Sequence, residues 1–158
     1  MKNSVIIFVL SVISLTLNAQ VKVAHLSKIE ADFKQERTSA ALTEPEITTG
    51  KFKYIYPDSV VWAYDSDDAI KLPKILTKLI AKVNDSDETN NPAFQKDFEK
   101  TWNGNTLTIK PKKKVMSNIL NSISITFTKD GVADKVFVDE KSGNTTNIQF
   151  LNMTYTKK

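Results

Sequence analysis

Cysteine is absent from this 158-residue chain, so disulfides, thiolate metal sites and a thiol for lipid attachment are all excluded. Histidine is nearly absent as well. His25 stands alone, so no histidine cluster can hold zinc and no Ser-His-Asp set can form away from it. The four glycines fall at turns or strand starts and make no phosphate-cradling motif. Charge of one sign is also in short supply. The net charge is +4, a solubility-scale value that does not argue for nucleic acid as a partner. No internal repeat of about 20 to 50 residues appears, which sets repeat architectures aside.

What is present begins with an export segment. Lys2 gives a positive start, Val5 to Leu17 is apolar apart from Ser and Thr, and Leu17-Asn18-Ala19-Gln20 closes it. This is the pattern of a secretory signal cleaved near residues 19–20. A membrane-spanning helix needs about 20 predominantly apolar residues, and Asn18 and Gln20 interrupt too soon for that. The expected organisation is a signal peptide over 1–20 and one domain over 21–158, free in the periplasm. About 138 residues are enough for one domain with a real core.

Along the mature chain, Val23, Leu26, Ile29 and Phe33 recur at the spacing of a short amphipathic helix. Ala31, Phe33, Gln35 and Arg37 also alternate with polar neighbours, so a strand can take over near Ala31. From Gly50 the alternation is clear: Phe52, Tyr54 and Tyr56 share one face, Pro57-Asp58 turns, and Val60, Trp62 and Tyr64 share a face on the returning strand. This predicts an antiparallel hairpin with an aromatic inner face. A helix is expected between Lys71 and Val83, started by Asp68 or Pro73, with Ile75, Leu76, Leu79 and Ile80 on its apolar stripe. Asn84 to Pro92 reads as a polar, mobile loop. Phe98 to Ile109 reads as a hairpin turning at Asn103-Gly104, Lys110 to Lys114 as a solvated basic run, and the remainder as strands. On the last of them Thr146, Ile148 and Phe150 take one face, and Gln149, Leu151 and Met153 the other. The sum is a mostly antiparallel sheet with two amphipathic helices.

Chemistry is thin. Asp65, Asp67 and Asp68 crowd one turn, yet the further oxygen ligands of a calcium loop do not follow. Asp139 and Glu140, candidate paired carboxylates alongside Asp134, are adjacent in a strand and point to opposite faces. An enzyme, a metal site and a cofactor are therefore not expected. The aromatic hairpin face fits two roles equally, an ordinary core packed by helices or the wall of a ligand cavity.

Several ordered blocks bear on that choice: Ile29-Glu30-Ala31-Asp32-Phe33-Lys34-Gln35; Gly50-Lys51-Phe52-Lys53-Tyr54 leading to Pro57; Val60-Val61-Trp62-Ala63-Tyr64; Leu107-Thr108-Ile109-Lys110-Pro111-Lys112; and Glu140 to Phe150. In type and order they resemble the periplasmic outer-membrane lipoprotein carriers, the LolA family. The resemblance implies a mainly β (α+β) fold, an incomplete antiparallel β-barrel or strongly curved sheet with amphipathic helices over its concave face. It implies a carrier that receives lipoprotein acyl chains from an inner-membrane lipoprotein-releasing transporter and passes them to an outer-membrane receptor. The cavity is then expected to be walled by Phe33, Phe52, Tyr54, Tyr56, Val60, Trp62 and Tyr64. A monomer is expected, with Ile75, Leu76, Leu79 and Ile80 on the lid helix.

Two departures stand out. The family's Arg before the hairpin Pro is Tyr56 here, so gating by that Arg does not carry over. The stretch from Tyr64 to Phe98 also leaves no clear room for the usual strand pair, which points to a smaller or more open barrel. A paralogue carrying another hydrophobic ligand, such as a glycolipid or acylated precursor, and a non-carrier envelope structural domain are the alternatives.

Overall fold

The computed structural model describes residues 20–158; the export segment expected over the first 20 residues lies, but for Gln20, outside them. Eight strands form one sheet: β1 (Leu26–Thr38), β2 (Glu46–Ile55), β3 (Ser59–Tyr64), β4 (Phe98–Asn103), β5 (Thr106–Pro111), β6 (Leu120–Phe127), β7 (Ala133–Glu140) and β8 (Thr145–Lys157). Their order is β3-β2-β1-β8-β7-β6-β5-β4 and every pairing is antiparallel. The sheet does not close, because β3 and β4 are free edges. It is an incomplete barrel.

The predicted first helix is not there. Leu26 to Thr38 is strand, and residues 20–25 precede it without regular structure. The helical spacing was produced by a bulge: the β1–β8 register shifts between Leu26 and Lys28. Ser27 is thereby inserted, and Leu26 and Ile29 both point into the core although three residues apart. Beyond the bulge the plain alternation of Ile29, Ala31 and Phe33 continues. A second shift opposes the β1 step from Glu30 to Asp32 with the β8 segment around Asn152, whose φ is +50°. This bulge reverses the facing of β8. Leu151 is turned outward, as alternation from Phe150 requires, while Met153, which strict alternation would also turn outward, packs against the core.

Four helices lie in the connections: α1 (Lys74–Val83), α2 (Ser86–Thr89), α3 (Pro92–Asp97) and α4 (Lys114–Ser117). Among the described residues only α1 is long enough to be amphipathic over several turns; it is the expected helix of Lys71 to Val83, and the other expected amphipathic helix is strand β1. Pro73 precedes α1, one of the two starts read from the sequence, and Leu76, Leu79, Ile80 and Val83 face the sheet. Asn84 to Pro92 is not a mobile loop. Asn84 and Asp85 are fully buried, because they cap the chain at a crossing point. Asn84 Oδ1 accepts from the Ala133 amide at 3.2 Å, and its Nδ2 donates to the Ile80 carbonyl at 3.1 Å. Asp85 caps α2 by accepting from the Asp87 amide. The basic run is also more structured than a solvated loop, since Lys110 and Pro111 complete β5 and Lys114 opens α4.

One apolar core joins the inner face of the sheet to α1. It runs from Phe33 and Phe52 on β1 and β2, through Ile148 and Phe150 on β8, to Ile109 and Ile123 on β5 and β6. The hairpin registers place Phe52 opposite Trp62, Tyr54 opposite Val60 and Gly50 opposite Tyr64. Gly50 is required there. A Cβ would strike the Ala63 carbonyl and the Phe33 ring, which lies across the glycine from the neighbouring strand, the arrangement in which an aromatic covers a strand glycine.

Candidate functional site

The Phe33 ring sits over Gly50 and is thereby free to reach two strands across, 4.9 Å from the Trp62 ring and 5.3 Å edge-on to Tyr64. Phe52 lies 5.1 Å from both Trp62 and Phe150, and Trp62 lies 6.1 Å from Phe150. These separations are those of favourable tilted and edge-to-face pairs. The structure thus gathers Phe33, Phe52, Trp62 and Tyr64 into one cluster and adds Phe150, which the sequence did not single out. Phe150 belongs there because β8 lies beside β1, a pairing separated by more than 100 residues in the chain.

The predicted wall residues are not equally accessible. Phe33, Phe52 and Tyr54 are buried outright. Val60, Trp62 and Tyr64 on edge strand β3, and Tyr56 at the turn, are half-buried. Tyr54 is held in place by donating from its hydroxyl to the Pro57 carbonyl at 3.1 Å. Burial pushes its phenol well above the ordinary tyrosine value, and burial also raises Tyr64. Among the predicted lid residues, Leu76, Leu79 and Ile80 press on the core, whereas Ile75 is 45% exposed and faces away from it.

Between β3 and α1 the aromatic cluster opens into a cleft of about 570 Å³, lined by Val60, Trp62, Tyr64, Leu72 and Thr77 with Lys71, Lys74 and Lys78 around it. This volume falls in the range of small-molecule sites, about 300 to 1,000 Å³. The Trp62 indole N–H is buried and, though near the Tyr64 hydroxyl, meets no acceptor in hydrogen-bonding geometry.

The segment leading from β3 into α1 is pinned to the sheet. Tyr64 donates from its hydroxyl to Gln35 Oε1 at 3.0 Å and accepts from the Leu72 amide at 2.9 Å. Gln35 Nε2 donates to the Ile70 carbonyl at 3.0 Å, and Glu46 Oε1 accepts from the Ile70 amide. The far end of α1 is tied by Asn84 to Ala133. It is tied again by Lys158, whose Nζ donates to Asp85 and Asp87 at 3.2 and 2.9 Å. The helix that covers the cluster is therefore fastened by polar contacts at both ends and held along its middle by the packing of Leu76, Leu79 and Ile80.

No carboxylate or histidine lines this cleft among the described residues. Asp139 and Glu140 do point apart: Asp139 accepts from Asn121 at the surface, while Glu140 is buried against Arg37. Asp65 accepts from Thr49 in an otherwise exposed acidic turn. His25, Asp85 and Asp87 bring one nitrogen and two carboxylates within 4.8 Å of one another. That ground is taken by the Lys158 ammonium, which donates to both carboxylates.

Comparison with known proteins bears on the identity of this arrangement. Residues 73–158 match the family described as outer membrane lipoprotein carrier protein LolA. Among solved structures, the chain is similar to an outer membrane lipoprotein-sorting protein domain from Vibrio parahaemolyticus, at 8% identity and a TM-score of 0.39, covering 82% of this chain and 86% of that one. No curated protein matches the sequence.

Proposed function

Because the chain belongs to the outer membrane lipoprotein carrier family LolA, a family of carriers rather than enzymes, we propose that it shelters lipoprotein acyl chains in the periplasm for transfer to the outer membrane. The observation that carries this reading is the cleft between β3 and α1, which leads from solvent to the Phe33–Trp62–Phe52–Phe150 cluster. Sheltering an acyl chain gains about 0.8 kcal/mol per CH₂ removed from water, so even part of one chain is worth having in such a cleft. The wall is Val60, Trp62 and Tyr64 at the opening, with Phe33, Phe52, Tyr54 and Tyr56 behind and beside them. Leu76, Leu79 and Ile80 form the covering stripe of α1, which has to swing for a chain to reach the buried rings. Residues 21–158 act as the single carrier domain and 1–20 as the cleaved export signal. Its exchange partners are an inner-membrane releasing transporter and an outer-membrane receptor.

The test is to incubate residues 21–158 with an acylated lipoprotein in detergent-free buffer. A soluble complex at micromolar protein is expected, and Trp62→Glu abolishes it while the fold persists by circular dichroism. Failure to form a soluble complex with any of several lipoproteins overturns the reading.

A further inference from the structure

The carrier reading gives no task to the three lysines around the cleft. Lys71, Lys74 and Lys78 are exposed, and no carboxylate lines the cleft with them. Among the described residues none of the three forms an ion pair, whereas Lys51, Lys53 and Lys113 elsewhere on the surface do. Their placement runs against the helix they sit on. Lys74 and Lys78 are four residues apart on α1, where like charges repel. Lys74 opens the helix and Lys71 precedes it, where the backbone dipole disfavours cations, and the first turn of α1 has no acidic residue to offset them. An uncompensated positive rim around an apolar cleft is the complement of one kind of ligand. Its apolar part needs an aromatic wall, and its polar end needs negative charge.

We propose that this cleft binds an amphiphile with an anionic headgroup. Its acyl chain lies against Val60 and Trp62, and its phosphate or carboxylate is held among Lys71, Lys74 and Lys78. The inference rests on the carrier reading for the acyl chain and adds the headgroup.

The experiment is a titration followed by tryptophan fluorescence in a Trp102→Phe background, so that Trp62 alone reports. Palmitate and palmitoyl-lysophosphatidylglycerol are compared with palmitoyl-lysophosphatidylcholine and monopalmitoylglycerol, all below their micelle concentrations. The anionic pair is expected to bind at least about tenfold more tightly at low salt, the scale of one or more lysine charges near an anionic surface, and to lose that advantage as salt rises. The triple variant Lys71→Gln, Lys74→Gln, Lys78→Gln is expected to bind all four probes alike, with its affinity for the uncharged pair unchanged. Equal binding of all four by the parent protein overturns this proposal and leaves the carrier reading standing, as does a preference that survives in the triple variant. Binding of none of them, together with no soluble lipoprotein complex, overturns both.

Discussion

The Lys158 ammonium lies 2.9 Å from the centre of the Tyr56 ring and donates to Asp87 at the same distance. This one side chain joins the β2–β3 turn, the end of β8 and the junction of α1 with α2. Desolvation alone would lower its pKa; the Asp87 and Asp85 carboxylates outweigh that and hold it above the ordinary lysine value. His25 Nδ1 stands 2.8 Å from the other oxygen of Asp87 and adds to the same contact.

Loosening this latch frees the covering helix. Tyr56→Leu is expected to cost about 0.5–1 kcal/mol, the scale of a cation–π contact at an exposed site, and to speed amide exchange in α1 and α2 more than in β6 and β7. Lys158→Met should do the same and leave Asp85 buried without its ammonium. Hydrogen exchange read residue by residue checks this; uniform acceleration across the protein would show that the contact is not specific to the lid.

The latch also sets an acid limit. Hydrogen bonding to Lys158 holds the Asp87 carboxyl below its ordinary value of 3.8. A carboxyl depressed in the folded state contributes stability that is present above its unfolded pKa and lost as pH falls through the folded one. Protection of α1 amides should therefore hold down to about pH 4 and decline below it, and in Asp87→Asn that acid step should be smaller. The opposite limit comes from Tyr54 and Tyr64, both raised above 10 by burial. Their contribution is whole below that value and falls as pH rises through the folded pKa. Alkaline unfolding monitored by tyrosinate absorbance should shift upward in Tyr54→Phe.

Gly50 tests the geometry of the aromatic cluster. Gly50→Ala places a methyl group against the Ala63 carbonyl and the Phe33 ring. Moving Phe33 breaks its contacts with Trp62 and Tyr64, so a loss of about 1–3 kcal/mol is expected, the usual cost of overpacking. The emission of Trp62 should shift as its neighbour is displaced. An unchanged melting temperature and emission would mean that Phe33 can yield without cost.

The β2–β3 hairpin was legible because a single two-residue period governs it and its partners are near in sequence: Phe52 with Trp62, Tyr54 with Val60. Segments whose period is broken by a bulge were not. Leu26 and Ile29 imitate a helix because Ser27 is extruded between them, and Met153 is brought to the face opposite Leu151 by the bulge around Asn152; no local pattern announces either. The polar run from Asn84 to Thr89 misled for another reason. Its side chains are satisfied by distant partners, Ala133 and Lys158, and polarity alone reads as exposure when those partners are unknown. Phe150 and the lysines around the cleft were missed for the same reason, since their roles depend on which strands and helices become neighbours.

The buried ion pair of Arg37 with Glu140 was equally invisible to local pattern, 103 residues apart. Two parallel hydrogen bonds of 2.8 and 3.0 Å join them, and Arg37 also reaches Thr146 Oγ1 at 3.3 Å. Both side chains are only 10% exposed, at the end of β1 where the core gives way to the β7–β8 turn. Desolvating two charges costs several kcal/mol each, and the pair recovers that only while both partners are present. Glu140→Ala should therefore cost about 3–5 kcal/mol by leaving the guanidinium buried and unpaired. Replacing both, Arg37→Met with Glu140→Leu, removes the two desolvation terms together and should recover most of the loss. A double-mutant cycle on denaturant unfolding separates the two outcomes: if the double variant is as unstable as the sum of the singles, the pair is not acting as a unit, and the stability at this end of the sheet comes from packing of the side-chain stems.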